Sequence, residues 1–197
     1  MLLNRVEYLL MNNPVRAAIQ RHFEAPRLLR MRGALPGGVA LEIGCGRGVG
    51  AEVILDLFRA DAVHGFDLDP RMVARARRRC ARRGSRTRFW VGDATAIAAA
   101  DRTYDAVFDF GIIHHIPEWR EAVTEVRRVL KPGGCFYAEE VLAPFLRHTR
   151  GVLKHPERDR FDAATFRAAL EAAGFAAVAS QQLWHSFAWF VTTRPGS

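Results

Sequence analysis

The chain has few of the features that would place it in a membrane or an oxidising compartment. Its three cysteines, Cys45, Cys80 and Cys135, are odd in number, far apart and free of any CxxC pairing. Neither a disulfide framework nor a zinc site is therefore expected, and no metal is predicted. No run of about eighteen apolar residues occurs, and Arg5 and Glu7 interrupt the short apolar start, so neither a spanning helix nor a signal peptide is predicted. A cytoplasmic location is the expectation. Lysine is almost missing: Lys131 and Lys154 are the two among 29 basic residues.

What remains is arginine. The formal charge is +8 in 197 residues, and alanine is abundant too, the pattern a GC-rich coding sequence produces. Nine arginines fall between Arg71 and Arg88, but Met72, Val73, Ala76 and Cys80 keep a helical apolar face there. The arginines are thus expected on a solvated outer face, and a nucleic-acid partner is allowed but not favoured. With 49% hydrophobic and 25% charged residues, a single globular domain is predicted.

The densest signal is Ala40-Leu-Glu-Ile-Gly-Cys-Gly-Arg-Gly-Val-Gly50. Val39 to Ile43 is a continuous apolar run, as in a strand covered on both faces. Gly44, Gly46, Gly48 and Gly50 follow, and a chain without Cβ atoms lets a ligand lie against its backbone. Val49, Val53, Ile54, Leu57 and Phe58 then recur at helical spacing, so the loop feeds a helix N-terminus. This stretch alone also fits a dinucleotide GxGxxA loop, with Asp67 at the interval of a ribose-binding acid, and leaves NAD open.

Later segments narrow the choice. Ala62 to Phe66 reads as a second strand, ending in Asp67-Leu68-Asp69-Pro70, where Asp69 and Pro70 are set to start a helix. Thr87 to Val91 reads as a third, running into Gly92-Asp93-Ala94 and a short helix near Ala94 to Ala99. Tyr104 to Phe108 reads as a fourth, followed by Asp109-Phe110-Gly111 and the pair His114-His115. Trp119, Ala122, Val123, Val126 and Leu130 form an amphipathic helix that Leu130-Lys-Pro-Gly-Gly134 stops before strand Cys135 to Ala138. Glu139 and Glu140 come next. After an irregular, basic stretch from Val141 to Arg160 with His148, His155 and Pro156, Asp162 caps a last helix. Phe175 to Leu183 and Phe187 to Thr193 are predicted as an antiparallel hairpin.

Glu42-x-Gly-x-Gly-x-Gly48, Gly92-Asp-Ala94, the turn Leu130-Lys-Pro-Gly-Gly134 and the closing hairpin together resemble the class I S-adenosylmethionine-dependent methyltransferases of the small-molecule, type 11 kind. The resemblance is specific from Val39 to about Val141. It implies a Rossmann-like α/β fold, a seven-stranded sheet in the order 3-2-1-4-5-7-6 with strand seven antiparallel. It also implies a cofactor site of Glu42, Gly44, Cys45, Gly46, Gly48, Asp67, Leu68, Gly92, Asp93, Ala94, Asp109, Phe110 and Gly111, with S-adenosylhomocysteine as product. Asp67 is suited to a ribose diol and Asp93 to the adenine amine.

His114, His115, Glu139 and Glu140 are the candidates for acting on the acceptor. A small-molecule or lipid-like acceptor is expected; an RNA methyltransferase and a non-catalytic cofactor-binding subunit are the alternatives. The domain divides into a helical cap (1–35), a cofactor core (36–141), a substrate-side insertion (142–160) and the last helix with its hairpin (161–197). In the cap, Val15, Ala18, Ile19 and Phe23 fall on one helix face, and the segment is read either as a plain packing helix or as a lid over the mouth of the site.

Overall fold

The computed structural model describes residues 13–35, 37–148 and 160–196. Its strands are β1 (Val39–Ile43), β2 (Ala62–Asp67), β3 (Thr87–Val91), β4 (Tyr104–Phe110), β5 (Leu130–Val141), β6 (Ala176–Leu183) and β7 (Phe187–Thr193). They form one sheet in the order β3-β2-β1-β4-β5-β7-β6. β1 to β5 pair in parallel, and β7 runs antiparallel to both β5 and β6. The topology is the one expected from the sequence.

The central strands are mostly apolar because helices cover both faces, with Glu42, Asp109, Glu139 and Glu140 as buried exceptions near their carboxyl ends. Side chains alternate between two cores, so that Phe136 of β5 joins Trp119, Phe166 and Phe190 on one face, and Tyr137 joins Phe58, Phe108 and Trp189 on the other. On the first face lie α5 (Trp119–Val129) and α7 (Ala163–Ala172). α5 buries Trp119, Ala122, Val123 and Val126, the spacing read from sequence. On the second face Phe108 stacks on Tyr137 with centroids 4.6 Å apart, and Phe58 meets both rings edge-on.

Between these, α3 (Val49–Asp56) follows β1 and α4 (Pro70–Arg79) follows β2. Asp69 caps α4 by accepting the Arg71 N–H at 2.8 Å, and Met72, Val73, Ala76 and Cys80 are buried as expected. Several arginines of this region serve the chain itself. Arg77 donates to the Phe89 carbonyl, Arg86 to those of Asp61 and Ala60, and Arg79 and Arg83 pair with Glu52 and Asp56. All three cysteines are buried and unbridged, and burial pushes the thiols up, to about 11 for Cys80 and Cys135. Among the described residues, no helix is long and apolar enough to cross a membrane.

The Lys131-Pro-Gly-Gly turn lies inside β5. Leu130 pairs with Tyr104 and Cys135 with Ala106, so the four residues between bulge out, with Gly133 at φ +77°. Here the C-terminus of α5 is capped from the far end of the chain. The Arg194 guanidinium donates to the carbonyls of Arg127, Arg128 and Leu130 at 2.9, 3.1 and 2.8 Å. Helix ends leave carbonyls unsatisfied, and a cation there also meets the negative end of the helix dipole. Arg194→Ala is expected to cost about 1.5 to 3 kcal/mol and to lower the melting temperature by roughly 3 to 8 °C in a thermal scan. An unchanged melting temperature would show that solvent replaces the cap.

Three expectations are corrected. β4 runs on to Phe110 and β5 to Val141, so Asp109, Glu139 and Glu140 sit within strands instead of in loops beyond them. The reason is pairing: β7 matches β5 residue for residue from Cys135 to Val141. No helix forms at Ala94 to Ala99. The Asp93 carboxylate accepts the Thr95 N–H and hydroxyl at 2.9 Å each, and Glu125 takes the Ile97 N–H, which closes a turn instead. Ala143–His148, read as irregular, is a helix, α6, that buries Ala143 and Leu146. His155 and Pro156 lie outside the described residues, as does Met1 to Asn12.

The cap turns its polar side to the domain. Asn13 caps α1 (Pro14–Ile19), which continues through a π-helical turn (Gln20–Glu24) into α2 (Ala25–Arg32). The expected apolar face points outward, with Val15, Ile19 and Phe23 exposed. What turns inward is Arg16, Gln20 and Glu24. The surface beneath is polar: Arg16 pairs with Glu24 and comes within 3.8 Å of Glu139, and Arg47 donates to the Asn13 carbonyl.

Candidate functional site

The parallel strands end together, and a cavity of about 260 Å³ opens there. That is more than ten times the roughly 15 Å³ a single water needs, so the space is of ligand size. Loops after β1, β2, β3 and β4 form its walls, α1 contributes Arg16 and Ala17, and the π-helical turn contributes Gln20. Open α/β sheets place ligands at this position.

The first wall is the glycine loop. Gly48 takes φ +84° as it hands the chain to α3, and a Cβ there would meet Ala76 Cα at 3.0 Å, so its role is to let α3 and α4 approach. Gly50 is required more sharply: its Cβ would fall 1.8 Å from Glu42 Oε1. Glu42 is consequently packed against the first turn of α3, fully buried, with Oε2 lacking a hydrogen-bond partner among the described residues. Burial raises its pKa well above the usual carboxylate range, and neighbouring Asp67 adds to the rise.

Asp67 closes the second wall. Its Oδ2 accepts the Gly46 N–H and its Oδ1 the Asp69 N–H, both at 2.9 Å. Each oxygen keeps a lone pair for a further donor. Burial raises this carboxyl also, against the lowering effect of the two N–H donors. Leu68, Gly92, Asp93 and Ala94 continue the wall.

β4 supplies the opposite side: Phe110, Gly111, Ile112, His115, Ile116, Pro117 and Glu118 face the cavity. This loop is held from behind. Glu140 accepts the N–H groups of Ile113 at 3.0 Å and His114 at 3.2 Å, and its Oε2 lies 2.6 Å from His114 Nδ1. Asp109 accepts the Ile112 N–H at 2.8 Å. Burial pushes Glu140 up to about 7, and burial followed by the adjacent Glu140 charge raises Asp109 well above its usual range. The His114 ring lies 4.2 Å from that of His115, centroid to centroid.

The sequence candidates therefore separate. Glu42, Gly44, Cys45, Gly46, Asp67, Leu68, Gly92, Asp93, Ala94, Phe110, Gly111 and His115 line the cavity. Gly48, Asp109, His114, Glu139 and Glu140 stand behind its walls. Sequence reasoning missed Arg16, Gln20, Arg47 and Glu118. For the first two the signal was the polar spacing Arg16, Gln20, Glu24, outweighed by the apolar stripe on the other face.

A family model described as "Methyltransferase domain" matches residues 40–134, the segment that builds every wall except α1. A probable S-adenosylmethionine-dependent methyltransferase of Mycolicibacterium smegmatis is 34% identical over 140 residues, 71% of this chain and 52% of that protein. The chain belongs to the class I S-adenosylmethionine-dependent methyltransferases. A fatty-acid O-methyltransferase of the same organism is 38% identical over 100 residues, 51% of this methyltransferase and 36% of the relative. The chain thus spans about half or less of the length of these curated relatives. The crystal structure of phosphoethanolamine N-methyltransferase 2 from Haemonchus contortus with S-adenosyl-L-methionine has the same fold, with a TM-score of 0.75 and 18% identity, over 87% of this chain and 52% of that one.

The cavity chemistry of this methyltransferase suits the family's cofactor. Glu42 offers an unpartnered buried oxygen, Asp67 a free lone pair on each oxygen, and a Cβ at Gly46 would meet no atom within 4 Å, so the loop backbone borders open space.

Proposed function

We propose that the chain is an S-adenosylmethionine-dependent methyltransferase acting on a small-molecule or lipid-like acceptor. The observation that carries this is the convergence of Glu42, Asp67 and Asp93 on one cavity at the strand ends, facing His115 and α1 across it. When bound, the cofactor supplies an electrophilic methyl group for in-line displacement.

The residues divide the work. Asp67 would accept hydrogen bonds from the ribose hydroxyls, Asp93 and Ala94 would border the adenine, and Glu42 with the Gly44 to Gly46 backbone and the Phe110–Gly111 segment would hold the methionine portion. His115, Arg16 of α1 and Gln20 of the π-helical turn would face the acceptor. Glu140 and Asp109 are positioning residues, fixing the loop from Ile112 to His114 by its N–H groups. Holding two reactants in near-attack geometry supplies roughly 7 to 11 kcal/mol, so an enzyme of this kind can work with few reacting side chains. The fatty-acid specificity of one relative supports a lipid-like acceptor.

Parallel calorimetric titration with S-adenosylmethionine, S-adenosylhomocysteine and NAD tests the cofactor. Binding of the first two alone is expected; binding of NAD alone overturns the reading. Methyl transfer to a long-chain fatty acid and to phosphoethanolamine then screens the acceptor. His115→Ala is expected to lower turnover by about 10²-fold at saturating cofactor where the acceptor must lose a proton, with cofactor affinity unchanged. Unchanged turnover would leave positioning as the source of rate.

A further inference from the structure

The cap helix is oriented against its own amphipathicity. Val15, Ala18, Ile19 and Phe23 recur at the spacing of one helical face, and that face is exposed, Val15 by 68% and Ile19 by 43%, with Phe23, 45% exposed, at its edge, where its ring meets Trp189 and lies under Arg27. Rotating the helix would not bury it, because the inward positions are committed. Arg16 pairs with Glu24, and Gln20 and Glu24 are buried. An exposed apolar stripe beside a ligand cavity calls for an occupant.

We infer that this outward face of α1 and its π-helical turn docks on an anionic lipid bilayer and seats the cavity mouth at the lipid surface. Position is the first argument. Ala17, on the same helix, lines the cavity, and Leu68, 42% exposed, lines it from the β2 side, so apolar groups stand on two of its walls. Charge is the second. Arg21, paired with Glu52, lies in the π-helical turn, Arg71, paired with Asp69, stands three residues after Leu68 with its side chain 67% exposed, and the whole chain carries a surplus of +8. Glu118 and Asp93 are the exposed acids among the residues that line the cavity, while Glu52 and Asp56 are paired with Arg21, Arg79 and Arg83.

Size is the third. Three exposed apolar side chains fall short of the roughly 1,200 to 2,000 Å² of a stable protein interface. Interfacial helices, by contrast, combine a modest buried apolar face with attraction of basic residues to anionic headgroups. The purpose of the docking rests on the lipid-like acceptor proposed above; its test does not.

The test is flotation of the full chain with vesicles of phosphatidylcholine containing about one-third phosphatidylglycerol, against phosphatidylcholine alone. Binding to the anionic vesicles is expected, weakened by raising salt from about 0.1 M to 0.5 M. The double variant Val15→Ser with Ile19→Ser should lower vesicle affinity by about tenfold or more. Val15→Leu with Ile19→Leu, which keeps the face apolar, should retain it. S-Adenosylmethionine affinity, titrated on the same samples, should not change in either variant.

Absence of vesicle binding in a protein that binds cofactor overturns the docking surface and leaves the enzymatic reading standing; loss of cofactor binding in the unaltered chain overturns that reading separately. Vesicle binding indifferent to the serine variant overturns the assignment to α1. A stable dimer in light scattering that the serine variant splits gives the face to a second copy and also overturns it.

Discussion

Asp67→Ala is expected to weaken S-adenosylmethionine binding by about 10- to 100-fold in calorimetry while leaving the protein folded. The expectation follows from what the carboxylate does within the fold. Its two oxygens already orient the Gly46 and Asp69 N–H groups, which places one free lone pair on each oxygen toward the cavity. A diol supplies two donors to such a pair, and a hydrogen bond to a charged group contributes about 1.5 to 3 kcal/mol. Loss of the carboxylate removes both contacts and releases Gly46, so the glycine loop must be ordered by the ligand alone. Against this, the substitution relieves a buried charge, because burial is the largest influence on the Asp67 pKa and raises it. Stability should therefore move little. Asp67→Asn retains one acceptor oxygen and should fall between the two. Equal affinity in all three proteins would remove Asp67 from the site.

The second large effect concerns pH. Glu42, Asp109 and Glu139 are fully buried with pKa values raised well above the ordinary range, and Glu140 is raised to about 7. Desolvation is the first cause in each. In the unfolded chain these groups titrate near 4 to 4.5. From about pH 4.5 upward through pH 7 the folded state holds protons that the unfolded state has released, so stability is fully present below the unfolded values and declines as pH rises.

Groups with the opposite shift act elsewhere. Asp69, Asp105, Glu125 and Asp162 are lowered, and their contribution is lost on acidification below about pH 4.5. His64, lowered by burial, opposes the trend between pH 5 and 7 as one half-buried group. The ligand-free protein is thus expected to melt highest near pH 5 and roughly 5 °C or more lower at pH 8. Glu139→Gln, which cannot ionise, should flatten that slope. A melting temperature that is level or rising from pH 5 to pH 8 would show that these carboxyls reach water.

Much of the architecture was legible because strand ends and loop chemistry coincide. β1 and β2 are mainly apolar runs closed by a residue with a particular task, as with Ile43 before Gly44 and Phe66 before Asp67, and β3 likewise ends with Val91 before Gly92. Where sequence reasoning failed, a partner distant in sequence decided the outcome. Glu139 and Glu140 read as residues beyond a strand end, yet β7 extends β5 over them and buries both. The orientation of the α1 face was not legible for a related reason. Amphipathicity tells which face is apolar but not what lies beneath, and the surface under α1 holds Glu139 and the glycine loop. The adjacent histidines looked equivalent in sequence; Glu140 takes His114 from behind and leaves His115 on the cavity.

The three buried cysteines turn the native chain into its own record of opening. A thiol that is both covered and held in its protonated form does not react with an alkylating reagent, so a modified sulfur marks a molecule that has come apart around it. The three report from different depths. Cys45 sits in the glycine loop on the cavity wall, Cys80 at the end of the arginine helix, and Cys135 in a strand paired on both sides. The rates at which they become reactive rank the breathing of the cofactor loop, the outer helix and the central sheet on a single chain without any added probe.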